Sequence, residues 1–290
     1  MTRTDVNSVR DEEDGPATAA RPQSLMLSFL GLYVLGRGTA VYSGSVIDVF
    51  ARLEVSEDAA RSTLARMVKR DLLVRHRRGR KMYFGLTERA VDVLRDGHDR
   101  IWSGSVVEPD WDGTWTLVGF SLPESRRSLR HDLRSRLVWA GFGPLQNGLW
   151  AAPGRIDVPT VVAGLDLDRH LNVLRAQAAE PTEAAHLLDR AFDTAAIAAR
   201  SRAFLAAWDT PRPMPAAPDD LARQLLLHTD WLQLVRSTPR LPADHLPEDW
   251  PAVRAEQVFR KLSAQYDGPA GQVADAVLDV VPADTAAGPV

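Results

Sequence analysis

The sequence predicts an α+β protein of several domains, and three stretches predict it. Between residues 56 and 87 an amphipathic helical period runs into an alternating, strongly cationic hairpin. Between 111 and 177 strand-like and helix-like segments alternate, and from 182 onward the apolar period is helical throughout. The expected order is an N-terminal winged helix-turn-helix over 22–100, a central ferredoxin-like α+β domain over 105–180 and an all-α C-terminal domain over 182–281. Disordered tails are expected at 1–21 and 282–290.

The composition bounds the function. The chain has 290 residues, 45% of them hydrophobic and 25% charged, which suits a folded protein with real cores rather than a disordered or fibrous one. It has no cysteine, so disulfides, thiolate zinc sites and a cysteine nucleophile are excluded. The longest apolar run, around Leu25 to Leu35, is too short to span a bilayer. The N-terminus places Asp11, Glu12, Glu13 and Asp14 before any apolar segment, the reverse of a signal peptide. A cytoplasmic location with no membrane association is therefore expected.

In chain order, Ser24 opens a helix that ends at the Gly36–Gly38 turn, and Ser45–Leu53 forms a second with Val46, Ile47, Val49, Phe50 and Leu53 for a core. The third begins at Ser56, whose hydroxyl can accept a free backbone N–H, while Glu57 and Asp58 place negative charge at the positive end of the helix dipole. At 100° per residue, Ala60, Leu64, Met67 and Val68 fall on one face; Arg61, Ser62, Ala65, Arg66 and Lys69 fall on the other. Asp71 closes this helix. Arg75 to Lys81 then turn about Gly79 and return through Met82, Phe84 and Leu86, a β-hairpin with glycine where positive φ is needed. Thr87–Asp96, ending at Gly97, supplies a fourth helix.

Between residues 59 and 86 stand nine Lys or Arg against the single acid Asp71, a local excess of +8 in a chain of net charge −3. A helix with a small basic face suits the major groove of double-stranded DNA, and a cationic hairpin suits the flanking backbone. The predicted groove contacts are Arg61, Ser62, Arg66 and Lys69, with Arg70 beside them; Arg77, Arg78, Arg80 and Lys81 are the predicted phosphate anchors. The competing readings of the same charge are a solvated helix face and a basic module that grips an acidic protein.

Farther on, Trp115–Leu122 reads as a strand, Glu124–Ala140 as a basic amphipathic helix, Gly148–Ala152 as a strand after the Gly141–Gly143 turn, Val158–Leu165 as a helix and Asp168–Arg175 as extended chain. Glu183–Trp208, Asp219–Ser237 and Pro251–Gln265 are the expected C-terminal helices, the first two separated by the proline-rich DTPRPMPAAP. Asp110 and Asp112 offer the one pair of carboxylates on which a metal-dependent nuclease could rest, or else they cap a strand. The seven histidines have no metal-ligand spacing, and no nucleophile elbow or phosphate-cradling glycine loop occurs. No catalytic residue, metal or cofactor is expected.

The runs GSVIDVFARL, AARSTLARMVKRDLL and RRGRKMYFGLT, followed by WDGTWTLVGFSLPES, LRSRLVWAGFGPLQNGLWAAPG and LLLHTDWLQLVRSTPRLPADHLPEDWP, resemble the PaaX family, repressors of phenylacetic-acid degradation operons. The likeness covers roughly residues 24 to 265. It implies a middle domain similar to the ferredoxin-like subunit of CRISPR adaptation nucleases. It also implies a DNA-binding regulator rather than an enzyme, acting as a homodimer on operator DNA and released by an aryl-acyl-CoA thioester such as phenylacetyl-CoA. All eight tryptophans lie outside the winged domain, so Trp150 and Trp231, with Arg127 and Arg134 for the phosphates, are the expected effector contacts.

Overall fold

The structure is a computed structural model that describes residues 22–102, 104–213 and 216–283. The expected tail at 1–21 and all but the first two residues of the one at 282–290 lie outside the described residues. In chain order the elements are α1 (Pro22–Tyr33), β1 (Thr39–Tyr42), α2 (Ser43–Ala51), α3 (Glu57–Lys69), β2 (Leu73–Arg78), β3 (Lys81–Leu86) and α4 (Glu88–Trp102). There follow β4 (Val107–Glu108), β5 (Thr114–Phe120), α5 (Arg127–Trp139), β6 (Gly143–Gln146), β7 (Leu149–Pro153), α6 (Val158–Val162) and β8 (Leu171–Gln177). The chain continues with α7 (Ala184–Ala191), α8 (Thr194–Trp208), α9 (Asp220–Arg236), β9 (Leu241–Pro242), α10 (Pro251–Val277) and β10 (Val280–Pro282).

These elements gather into two compact units, and the division runs through α8, α9 and α10. One unit takes in residues 104–206 and 233–257. Its antiparallel sheet has the order β6-β7-β5-β8, with Val118 opposite both Trp150 and Val173. α5 and α6 cover one face of that sheet, burying Val118, Phe120, Leu133, Leu137, Trp150, Val158 and Val162 together. Gly143 in β6 is required by close approach: a Cβ there would stand 2.1 Å from the carbonyl oxygen of Ala191. β4 and β9 pair in parallel, tying residues 107–108 to 241–242.

The other unit joins residues from 22 to 102 with 207–232 and 258–283. α1, α2 and α3 pack through Leu25, Met26, Phe29, Leu30, Val46, Val49, Phe50, Leu64 and Met67, all buried. The last described strand belongs to the same unit. β10 pairs antiparallel with β1, giving a sheet of order β10-β1-β3-β2. Within this unit Tyr33 donates to Gln224 Oε1, Gln224 Nε2 donates to Asp267 Oδ1 at 3.3 Å, Thr229 Oγ1 donates to Ser28 Oγ at 2.8 Å, and Arg52 pairs with Asp219.

Several boundaries differ from expectation for identifiable reasons. α4 runs through Gly97 to Trp102, because Trp102 packs on Phe259 (5.5 Å between ring centroids) and His228 (6.0 Å), and such contacts outweigh the cost of about 1 kcal/mol for a helical glycine. α10 passes Gln265 and carries Pro269 inside it, held by Tyr266, Ala270 and Ala274 buried one turn apart. The single helix expected over 183–208 breaks at Asp193, whose Oδ1 accepts from Ala196 N at 2.8 Å and restarts the chain as α8. The C-terminal region is also not wholly helical. β9 and β10 are strands, and β10 exists because β1 presents an unpaired edge that the end of the chain can cover. Pro282, expected to begin a tail, is the last residue of that strand.

Candidate nucleic-acid interface

α3 is set by the residues that predicted it. Ser56 Oγ accepts from Ala59 N at 3.3 Å, Glu57 and Asp58 occupy the first turn, and Asp71 leaves the helix at φ 55°. The inner face buries Ala60, Thr63, Leu64 and Met67, with Thr63 Oγ1 donating to Ala59 O at 2.8 Å. The outer face leaves Arg61, Ser62, Ala65, Arg66 and Lys69 exposed.

Those cations are arranged, not loose. Arg66 donates from Nη1 to Ser62 Oγ and from Nη2 to Thr63 Oγ1, both at 2.9 Å, so its guanidinium lies along the helix beside Ser62. Arg61 pairs with Glu57 one turn back at 2.6 Å. Both side chains are more than half exposed, and such a pair contributes only a few tenths of a kcal/mol, so a phosphate can displace the acid. Arg70 is half-buried and reaches Gln23 Oε1 at 3.4 Å, which makes it a helix-packing residue as much as a surface one.

β2 and β3 form a hairpin in which Arg78 lies opposite Lys81, so the loop is the two residues Gly79 and Arg80, with φ 60° at Gly79. β3 is an inner strand, paired on both sides, and Tyr83, Phe84 and Gly85 are all buried. That is why no clean alternation survives there. Arg75, Arg77, Arg78 and Arg80 are exposed on the outer strand and at the tip, Arg77 Nε donating to Gly79 O at 3.3 Å.

Lys81 differs from its neighbours. Its Nζ lies 2.7 Å from Asp279 Oδ2 and 4.9 Å from the centroid of the Tyr42 ring, and Tyr83 Oη is 3.2 Å from both oxygens of the same carboxylate. The hydrogen bond from Lys81 holds the Asp279 carboxyl below the usual carboxylate range, and Asp279 in turn raises the ammonium. Asp279 is not legible in the sequence as a site residue, because nothing local marks an acid beyond α10 as a neighbour of residue 81.

The remaining expected site residues fall elsewhere. Arg127 and Arg134 are exposed on α5, seven residues apart and therefore on one side of it. Trp150 lies in the core between sheet and helices, whereas Trp231 belongs to the other unit and stacks on Phe259 at 4.7 Å and 8°. The two tryptophans are packing residues of different cores. Asp112 accepts from Thr114 N at 2.9 Å and from Arg155 Nη2 at 3.1 Å; the bond from Thr114, then Arg155, keeps its carboxyl low. It caps the entry to β5. Among the described residues no group of three or more His, Asp or Glu could hold a metal ion.

Comparison with known proteins covers most of the chain. Residues 21–90 match a family model described as PaaX-like protein, 108–188 match the PaaX protein central Cas2-like domain, and 192–276 match the PaaX-like protein C-terminal domain. The transcriptional repressor PaaX of Escherichia coli is 27% identical over 248 residues, which is 81% of this chain and 77% of that protein. The uncharacterized protein Rv0674 from Mycobacterium tuberculosis has a similar fold, with a TM-score of 0.58 at 20% identity, covering 89% of this chain and 99% of that one.

Proposed function

The chain belongs to the PaaX family, its three domains matched in unbroken order, and from that premise we propose that it is a transcriptional repressor that binds double-stranded operator DNA through a winged helix-turn-helix. In this reading α3 enters the major groove with Arg61, Ser62, Arg66 and Lys69, Arg70 steadying its end. The β2–β3 wing sets Arg77, Arg78, Arg80 and Lys81 against flanking phosphates. The observation that carries the reading is the outer face of α3, capped at Ser56 and lined with pre-positioned cations beside a two-residue cationic turn. A nuclease lacks comparable support, since Asp112 is engaged as a cap. A module for acidic proteins has no use for a groove-sized helix next to a wing.

The central unit is read as ferredoxin-like, and the working form as a cytoplasmic homodimer on a two-fold operator. β8 is the edge strand on which a second copy would pair: Val173 and Leu174 there are 46% and 58% exposed. Among the described residues no helix is long and apolar enough to cross a membrane. The proposed effector is an aryl-acyl-CoA thioester such as phenylacetyl-CoA, a reading supported by the family likeness alone, with the exposed Arg127 and Arg134 proposed as its phosphate contacts.

The deciding experiment titrates the full chain into the DNA upstream of its own gene, at about 150 mM salt with excess competitor duplex, with and without phenylacetyl-CoA. Specific binding, two chains per site, released by the thioester is the expected result. Specific binding indifferent to the thioester would remove the effector from the reading, and no specific binding at all would remove the repressor.

A further inference from the structure

The last described strand of the chain is joined to the wing more elaborately than strand pairing requires. β10 is fixed by its own register, Thr39 opposite Pro282, Ala40 opposite Val281 and Val41 opposite Val280, and Ala283 N donates to Gly38 O at 2.9 Å. Just ahead of that register the backbone of Asp279 is clamped at both ends. Its N–H donates to Ser45 Oγ at 3.0 Å, the Ser45 hydroxyl donates to Val277 O at 3.0 Å, and the Asp279 carbonyl accepts from Tyr42 N at 2.9 Å. With the backbone held this way, the carboxylate is delivered to one place, between Lys81 Nζ and Tyr83 Oη.

Two donors converging on a carboxylate, with an aromatic ring beside the ammonium, are the same equipment a protein offers to a phosphate oxygen. The location agrees. Lys81 is the first residue of β3, opposite Arg78 and next to the Gly79–Arg80 turn, amid the cations read above as backbone contacts. The pair is also solvent-accessible, with side-chain exposures of 52% for Lys81 and 37% for Asp279. An exposed ion pair of this kind adds little to what the β10 ladder already supplies for holding the strand. Its larger consequence is electrostatic: one wing cation is cancelled, and a fixed negative charge stands where a phosphate would lie.

We propose that Asp279 is an internal phosphate mimic: with β10 left in the sheet, its carboxylate occupies the anion site of Lys81 and Tyr83 until DNA or a change in α10 withdraws it. This rests on the reading of the wing as a DNA contact. α10 ends two residues before Asp279, and its last turn is tied through the Val277 carbonyl to Ser45 at the start of α2. A shift of α10 that withdraws Asp279 therefore returns one positive charge to the wing, and an opposite shift removes it, which gives a route from the C-terminal helix to DNA affinity.

The test compares the full-length protein with Asp279→Asn, Lys81→Ala and the double variant, each titrated with operator and with unrelated duplex across a salt series. Freeing one phosphate contact predicts that Asp279→Asn binds both duplexes about fivefold more tightly at about 150 mM salt, with the slope of log affinity against log salt steeper by about 0.9. Lys81→Ala alone should change affinity less than about twofold, since its cation is already cancelled, and should abolish the gain when combined with Asp279→Asn. Unchanged or weakened binding by Asp279→Asn, with Arg66→Ala still impairing the operator complex, would overturn the mimic and leave the DNA reading intact. Should Asp279→Asn fail to fold, a drop in affinity on Lys81→Ala as large as that on Arg77→Ala would overturn it equally. Absence of duplex binding by the wild-type chain would overturn both.

Discussion

Individual side chains in this protein divide into those whose role follows from local spacing and those whose role follows only from the tertiary fold. His228 is of the second kind. It lies on α9 with its Nε2 3.0 Å from Ser263 Oγ and its ring edge-on to Phe259 at 5.1 Å, and burial, followed by the charge of His98, pushes it down from 6.5 to about 4. A histidine with a depressed value stays neutral in the folded chain while the unfolded chain takes up a proton. Stability is therefore untouched above pH 6.5 and falls as pH drops from 6.5 toward 4, by about 3 kcal/mol at the lower end. Thermal melts of the wild type and His228→Gln from pH 7.5 to 4 read this directly: the variant's midpoint should fall less steeply below pH 6.5. Parallel curves would show that another group governs acid unfolding. By contrast Ser56 is legible as a cap from its neighbours alone, because capping needs only the next three residues. Asp279 and Tyr83 are not, since their partnership spans 196 positions of sequence.

At the scale of elements, periodicity identifies what it physically can. α3 has one buried face and one wet one, so its hydrophobic period survives in the sequence, and its predicted start at Ser56 holds. β3 is paired on both sides and β1 is only four residues long, so the first is traceable from its turn and the second leaves no period to find. Gly97 reads as a stop because local propensity favours stopping, and packing overrides it; packing likewise carries α10 past its expected end at Gln265 and through Pro269. The two halves of the interface should also separate experimentally. Arg66→Ala removes a group pre-positioned on α3 and should cost about 1–3 kcal/mol, expressed at one operator position. Arg77→Ala or Arg80→Ala should weaken operator and random duplex alike and flatten the salt slope by about 0.9 for each phosphate no longer neutralised. A competition titration over single-base operator variants, repeated at several salt concentrations, distinguishes the two patterns. Identical behaviour of the α3 and wing variants would mean that α3 does not read bases.

For the whole molecule, three segments of sequence become two compact units, and this is where a linear reading has least to work with. The predicted winged domain ends near residue 100, yet in the structure its core continues into the C-terminal helices. Tyr33 donates to Gln224, Thr229 to Ser28, Trp102 packs on Phe259, and β10 completes the sheet that β1 begins. No spacing rule connects residues so far apart in sequence; only the shape of the buried surface does. It follows that a fragment of residues 22–102 should lack part of its own core, leaving the α1 and α4 faces wet and β1 with an open edge. Such a fragment should melt without a cooperative transition by circular dichroism and bind operator at least tenfold more weakly than the full chain, a penalty of about 1.4 kcal/mol or more. A sharp melt together with full-length affinity would make α9 and α10 mere attachments to an autonomous DNA-binding domain. The expected failure instead makes them structural parts of the unit that carries α3, so that any change in α10 acts on the same cooperative body as the proposed groove helix.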